Sequence, residues 1–433
     1  MSRKELLGPR RRGVGTARRV GLFGLFGSGN LGNDASFDVM YSYLRDRHPE
    51  TSVDAMCMGP DRLRRRYGID AVAMQWSQQY ESQTSGMTTV ALKGVGKIVD
   101  AVRTAVWVRQ HDAVIVPGTG ILEASLPLRA SGTPYALFLL CACGRLFGTK
   151  VALVSVGATT TDQRLTGWLF GAAARLAHYR SFRDETSRDA MRQRGVDTTH
   201  DEVYPDLVFG LPSRREGSGD ERTVGIGVME YYGGSDDRSE SDAIHARYVG
   251  AMQSFVRWLV DGQHRVRLFW GDDVDEKAVR EIVADLETSR PDLEAGTVTA
   301  GPLSTLGDLM EEMALVGTVV GIRYHNVIAA VKLSKPTIAI GYCEKHDFLM
   351  ADMGLPEFTQ SAQSVDVERL IEQFEELERR APELRRTLDE RNQEKTASLD
   401  DQFTLLSSSL LGSERPVRIG VGGDLSGATR GGQ

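Results

Sequence analysis

The chain has 433 residues, more than one hydrophobic core usually organises, so two domains are the starting expectation. Its 41% hydrophobic and 26% charged residues exclude wholesale disorder, and a formal net charge of -7 leaves no general electrostatic footprint for nucleic acid. The most apolar stretches, YALFLLCACGRLFG and LTGWLFGAAARLA, are too short to cross a bilayer and are interrupted by Arg145 and Arg175.

Residues 1–19 are basic and lack the apolar centre of a secretory signal. They read as a disordered arm, with weak contact to an anionic membrane surface as its expected partner. Cys57, Cys141, Cys143 and Cys343 form no zinc-like CxxC pair, and their apolar contexts predict buried reduced thiols. A cytoplasmic location follows, with peripheral attachment at the inner face of the membrane.

From residue 20 the pattern alternates strand and helix. RRVGLFG predicts a strand, a glycine-rich loop follows, and Phe37, Met40, Tyr41 and Leu44 recur at helical spacing. TSVDAMCM, HDAVIVPGTG and KVALVSVGA predict further strands. Between and after them fall the helical stretches GVGKIVDAVRTAVWVRQ, TPYALFLLCACGRLFG and DQRLTGWLFGAAARLAH. This alternation specifies an α/β fold with mostly parallel sheets. Charge and turn residues interrupt it between Gly210 and Thr223, and the pattern then restarts with VGIGVM. The expected layout is an N-terminal Rossmann-like domain over 20–212, a linker over 213–222 and a C-terminal Rossmann-like domain over 223–365, facing each other across a cleft. Terminal helices over 366–411 pack along the outside or cross back, and residues 412–433 form a disordered tail.

Three clusters carry chemistry. The loop from Gly27 to Asp34 contains Gly29, Asn30, Gly32 and Asn33, a composition that lets backbone N–H groups approach a ligand and caps the next helix. It is neither a Walker A loop nor a GxGxxG, so a capped helix after a tight turn is the plainer alternative. Asp34 there is a carboxylate placed to take a proton from a hydroxyl. Arg183 and Asp206 both fall at strand ends of the N-terminal half, with an ordinary surface ion pair as the alternative. The third cluster, VVGIRYHNVIAAVKLSKPTIAIGYCEKHDF, is a β–loop–α–β unit with Arg323 and His325 at the carboxyl end of a strand and Lys345-His346 after the next. In open α/β sheets ligands bind at those ends, and a helix N-terminus favours an anion there. A surface cation and a histidine without a catalytic role is the bland reading of the same residues.

Together these clusters resemble the polysaccharide pyruvyl transferase family over roughly residues 20 to 360. Gly29-Asn30-Leu31-Gly32-Asn33-Asp34 matches its GNxGD/N-type loop; Arg183, Asp184 and Ser187 match a later RD..S segment, and Pro205-Asp206 a PD segment. Arg323 and His325 match the R-x-H after a C-terminal strand, and Pro336 to Lys345 the P.iaisY..K pattern. Two departures stand out. Asn33-Asp34 replaces the frequent GD-E, and Pro117-Gly118-Thr119-Gly120 replaces a glycine triplet.

The resemblance implies a GT-B-like fold and transfer of pyruvate, as a cyclic ketal, from phosphoenolpyruvate to two hydroxyls of a sugar or lipid-linked saccharide. Arg183 and Arg323 would fork the donor's phosphate and carboxylate from opposite domains, with Lys345 adding charge. His325, with a pKa near 7, would protonate the enol methylene, and Asp34 would complete the catalytic set. Gly29, Asn30, Gly32, Asn33 and Gly118 would line the acceptor side. No cofactor or metal is implied. The competing readings are a GT-B glycosyltransferase that uses a nucleotide sugar, with Glu344 forced onto the ribose, and a non-catalytic sugar-binding member.

Overall fold

The computed structural model describes residues 18–76, 88–124, 130–212, 219–234, 237, 239–270, 273–301, 303 and 305–411, with the backbone alone for 88–94. Most of the expected arm, residues 213–218 of the expected linker and the expected tail lie outside the described residues.

Two parallel sheets organise the chain. The first contains β1 (Arg19–Gly24), β2 (Ser52–Cys57), β3 (Ala71–Ala73), β4 (Ala113–Pro117), β5 (Lys150–Val156), β6 (Tyr179–Phe182) and β7 (Glu202–Val203). Its order is β3-β2-β1-β4-β5-β6-β7, with parallel pairing throughout. The second contains β8 (Asp220–Val228), β9 (Arg265–Trp270), β10 (Val298–Ala300), β11 (Val316–Gly321), β12 (Thr337–Gly341) and β13 (Thr359–Ser361), in the order β10-β9-β8-β11-β12-β13. Strand order therefore reverses between β1 and β4 in one sheet and between β8 and β11 in the other. Those reversals open the crevices in which such sheets hold ligands. The architecture is α/β and GT-B-like.

The strands form because both of their faces are covered. Every residue of β4 and of β11 is buried, as the continuous apolar runs require in a parallel sheet. Around the first sheet lie α1 (Leu31–Arg47), α2 (Pro60–Tyr67), α3 (Thr88–Arg109), α4 (Thr133–Phe147), α5 (Arg164–Leu176) and α6 (Glu185–Gln193). Around the second lie α7 (Ser241–Asp261), α8 (Glu276–Ser289), α9 (Leu306–Ala314), α10 (Tyr324–Lys332) and α11 (Lys345–Asp352), before α12 (Val367–Arg379) and α13 (Ala381–Leu406) close the described chain. One apolar core is continuous from the α1 face of the first sheet into the second half, and a separate core fills the α3–α6 face.

Several expectations need correction. β8 begins at Asp220, so residues 220–222 belong to the second sheet and not to a linker. They look like a loop in the sequence because the strand's first three residues are exposed at the sheet's end. The edge strands β3, β7, β10 and β13 hold two or three residues each, too few to show a period. Cys343 is exposed, whereas the other three cysteines are buried.

The last helix crosses back onto the first half. The rings of Tyr43 and Phe403 stack at 4.5 Å, and the Tyr43 hydroxyl donates to the Phe403 carbonyl at 2.8 Å. Gln402 is wholly buried. Its Oε1 accepts from Ser155 Oγ at 3.0 Å and its Nε2 donates to Ser181 Oγ at 2.8 Å. These bonds fall where the β5–β6 register shifts and Ser155 adopts φ 49°, so α13 supplies the acceptor for the Ser155 hydroxyl in an irregular stretch of sheet where Ser155 N already donates to Ser181 Oγ at 2.8 Å. Replacing Gln402 by Leu is expected to strand the Ser155 hydroxyl and to remove one partner of Ser181, at a cost of about 1–3 kcal/mol for the buried group left unsatisfied. Thermal unfolding would register this as a lowered Tm, and an unchanged Tm would remove the clamp.

Candidate active site

At the facing strand ends the sequence places charges that cannot all reach water. Asp184, just after β6, caps α6 by accepting from Ser187 N at 2.6 Å through Oδ1. Asp206 caps a short 3₁₀ turn (Leu207–Gly210) in the same way, accepting from Val208 N at 3.0 Å. In both, the second oxygen is turned to one guanidinium. Arg183 Nε lies 3.4 Å from Asp184 Oδ2, and Nη1 lies 3.6 Å from Asp206 Oδ2. Its Nη2 also pairs with Glu123 Oε1, from the loop after β4. Arg183 is only 7% exposed and Asp206 only 3%, so this is an interior cluster and not the surface ion pair that was the alternative.

The second half completes it from α10 and α11. The Tyr324 ring is a plate between two cations, with Arg183 and Lys345 each 4.9 Å from its centroid. Lys345 Nζ reaches Glu123 Oε2 at 3.6 Å, so one carboxylate holds both cations. Burial would raise the Glu123 carboxyl, but the Arg183 and Lys345 charges outweigh it and hold the pKa below the ordinary value. Burial likewise opposes the Lys345 ammonium, yet Glu123 keeps its pKa above the usual lysine range.

His325 stands beside this group, its Nε2 4.0 Å from Asp206 Oδ2. Burial, reinforced by Arg183 and Lys345 and opposed by Asp206 and Glu123, pushes the imidazole down to about 4. The expected pKa near 7 is therefore wrong for this arrangement: the ring is neutral at pH 7. His346, fully buried against the carbonyls of Ile322 and Cys343, is also pushed down to about 4, by burial and then by Lys345.

Gly32 lets the halves meet. A Cβ at this position would lie 2.0 Å from His325 Nδ1, so the start of α1 accepts the imidazole only because the residue is glycine. Among the described residues, Arg183 Nε, His325 Nε2 and Asp206 Oδ2 are buried with no hydrogen-bond partner. Each has an ion-pair contact within the cluster but makes no hydrogen bond, and because buried polar atoms are normally hydrogen-bonded, these are the atoms that polar groups of a ligand would satisfy.

Other expected site residues do different things. Arg323 does not present an open fork. Its Nε and Nη2 donate to the two oxygens of fully buried Asp275 at 2.8 and 2.6 Å, and Asp275 also accepts from Glu230 N at 2.9 Å. Arg323 thus ties the end of β11 to the turns after β8 and before α8. Asp34 is engaged by its own loop and by α2. It accepts from Gly27 N at 2.6 Å and faces Arg62 Nε at 3.7 Å, and burial, partly offset by those partners, raises its pKa. Asn30 caps α1 by accepting from Asn33 N at 3.2 Å, Gly29 supplies φ 95° in the same loop, and Gly118 (φ 53°) gives room to Ser36.

Glu123, Tyr324 and Asp275 were missed. Glu123 sits in a glycine-flanked loop without a motif, and its partners come from just after β6 and from α11. Gly157 carries a readable signal only in retrospect: a Cβ there would meet Glu123 Oε1 at 2.5 Å.

The fold and the site define a GT-B-like protein with a charged crevice between two Rossmann-type halves. Its fold is shared by UDP-GlcNAc 2-epimerase from Methanocaldococcus jannaschii (9% identity, TM-score 0.55, covering 83% of this chain and 92% of that one). UDP-GlcNAc 2-epimerase from Neisseria meningitidis bound to UDP-GlcNAc gives 10% identity and a TM-score of 0.54, covering 92% and 100%. A UGT transferase from Siraitia grosvenorii in complex with UDP gives 10% and 0.53, covering 91% and 100%. At such identities these likenesses establish the fold alone. No curated protein matches the chain. The polysaccharide pyruvyl transferase family matches residues 30–344, and the chain belongs to that family.

The Gly32–His325 contact yields a direct test. Gly32→Ala is expected to push the imidazole out toward water, so that its NMR titration moves up from about 4 toward the ordinary histidine value of about 6.5. An unmoved titration would show that the ring does not rest on Gly32. Stability should follow the same groups. The unfolded chain binds protons at His325 and His346 near 6.5 and the folded chain only near 4, so stability falls as pH drops through that window. Thermal melts between pH 7 and pH 5 should therefore show a declining Tm, less so in the Ala variant.

Proposed function

We propose that the protein transfers the pyruvyl group of phosphoenolpyruvate to two hydroxyls of a sugar in a polysaccharide or its precursor, forming a cyclic ketal and releasing phosphate. The observation that carries this reading is the buried meeting of Arg183, Lys345, Glu123 and His325 at the carboxyl ends of strands from both sheets, with Arg183 Nε and His325 Nε2 lacking a hydrogen-bond partner. Family membership supplies the reaction class.

The donor carries a carboxylate and a phosphate, and Arg183 and Lys345 are the two cations aimed at the crevice. His325 gives its proton to the methylene carbon, which becomes the methyl group, while the first sugar hydroxyl attacks the neighbouring carbon. The C–O bond to phosphate then breaks, and the second hydroxyl closes the ring on the same carbon. One hydroxyl proton replaces the one His325 gave up, with Asp206 adjacent to steady the charged ring, and the other leaves with phosphate. Arg183 and Lys345 stabilise the departing charge. Arg323 acts through the fold, holding the loop that presents Tyr324 and His325. Asp34 acts in the same way, by fixing the Gly27 loop.

Because His325 is neutral in the free protein, its proton must arrive with the donor, whose negative charges raise the imidazole pKa. Binding is then coupled to proton uptake, and donor affinity strengthens as pH falls from neutrality toward about 4. Calorimetry in buffers of different ionisation enthalpy should detect that proton, and His325→Gln should abolish it. The same variant should retain most donor binding but lose acceptor-dependent phosphate release by about 10²- to 10⁴-fold, the usual cost of a missing general acid. Near-normal turnover by the glutamine variant would exclude His325. Absence of phosphate release with any acceptor, together with tight nucleotide-sugar binding, would favour a glycosyltransferase.

A further inference from the structure

The helices on one flank of the first half are built against the usual rule. Val95, Ile98, Val102 and Val106 of α3 recur at spacings of three and four, which puts them on one face, and that face is exposed rather than buried; Ile98 is 67% exposed. The opposite face, with Trp107 and Val108, packs on the sheet. α4 and α5 continue the flank with Leu146 at 71%, Leu165 at 60% and Trp168 at 58%, the Trp168 ring lying 5.6 Å from Phe138. Seven of the eleven large hydrophobics exposed among the described residues lie on these three helices. A patch this concentrated marks an interaction surface.

Its charge identifies the partner. Within α3, α4 and α5 the sequence holds seven Lys or Arg and a single acid, Asp100, in a chain whose net charge is -7. Asp100 is buried and paired with Lys97 at 3.3 Å, so it offers nothing outward. Arg145 and Arg175 donate to backbone carbonyls at the edges of the flank. An apolar face with one exposed tryptophan and a cationic surround complements a bilayer with anionic head groups. A second copy of the chain fits poorly, because a two-fold contact would set this cationic patch against itself.

We propose that the α3–α5 flank is a docking surface for an anionic phospholipid membrane. α4 and α5 follow β4 and β5 in parallel crossovers, so their N-terminal ends lie on the side of the first sheet where Arg183 follows β6, and a membrane-held saccharide would approach from that side. This surface is distinct from the basic arm and does not depend on the chemistry proposed for the site.

The test uses the full chain with vesicles of phosphatidylcholine alone or mixed with phosphatidylglycerol. Co-sedimentation is expected only with the anionic vesicles and should weaken as salt rises. The combined variant Ile98→Ser, Val102→Ser, Trp168→Ser should bind at least about tenfold more weakly, given the apolar area it withdraws from the interface. All three side chains are exposed, so Tm should stay unchanged. Brominated lipid should quench tryptophan fluorescence in the native chain and quench it markedly less in Trp168→Phe. Vesicle binding that survives in the triple variant would overturn the proposal by placing the contact elsewhere. Absence of vesicle binding would overturn it too. In that case, a native dimer made monomeric by the triple variant would assign the face to a second copy.

Discussion

The interior charge of Arg183 is the constraint from which the rest of the site follows. Removing a guanidinium from water costs several kcal/mol, and only close carboxylates and a polarisable surface offset that cost. Asp184 and Asp206 supply one oxygen each while capping helical turns with the other. Glu123 reaches in from the β4 loop, which requires glycine at 120 and 157. The ring covering the guanidinium, Tyr324, comes from the other half of the chain. The two sheets therefore meet at a charge that neither accommodates alone. The same encounter carries Lys345 and His325 into place, the latter over the bare backbone of Gly32.

How much of this was legible depends on what kind of signal each residue leaves. Long buried strands and amphipathic helices write their period into the chain, so the α/β class, the parallel sheets and the β–loop–α–β unit around His325 could be read directly. The GT-B-like arrangement needed the motif resemblance as well, because a period fixes an element but not the order of strands. Edge strands of two or three residues leave no period. The start of β8 reads as linker for a related reason: its first residues emerge at the sheet's end, where charge is tolerated. Site residues were legible where they sit in one contiguous motif. Arg183, Asp206, His325 and Lys345 do meet. Glu123 could not be found, since its meaning lies in partners some 60 and 222 positions further along the chain.

Arg323 shows the opposite failure. An arginine after a strand beside a helix N-terminus has the right chemistry for an anion, and the sequence contains nothing to distinguish a ligand from a buried partner. Asp275 supplies that partner in bidentate geometry. Asp34 misleads in the same way: its short bond to Gly27 N spends one oxygen on shaping the loop. Each is engaged by the protein itself and places its neighbours. For Arg323 this matters most, because Tyr324 and His325 are the next two residues, and the clamp fixes where α10 starts.

Charge balance bears on how such a site works in the proposed reaction. With His325 neutral, the cluster counts Arg183 and Lys345 against Glu123, Asp184 and Asp206, so the protein's own charges leave it slightly anionic. An anionic donor cannot simply be added to it. Either a carboxylate must yield its cations or a proton must enter. Asp184 and Asp206 are fixed by the turns they cap. Glu123 has no such duty, and it is the carboxylate that holds both cations. The donor's phosphate is then best understood as a competitor for the place Glu123 occupies, and the proton drawn onto His325 as the remaining compensation. On this reasoning the acid is armed only when donor is bound. That order suits an enol phosphate, which must be protonated at carbon only when a sugar hydroxyl is poised to attack.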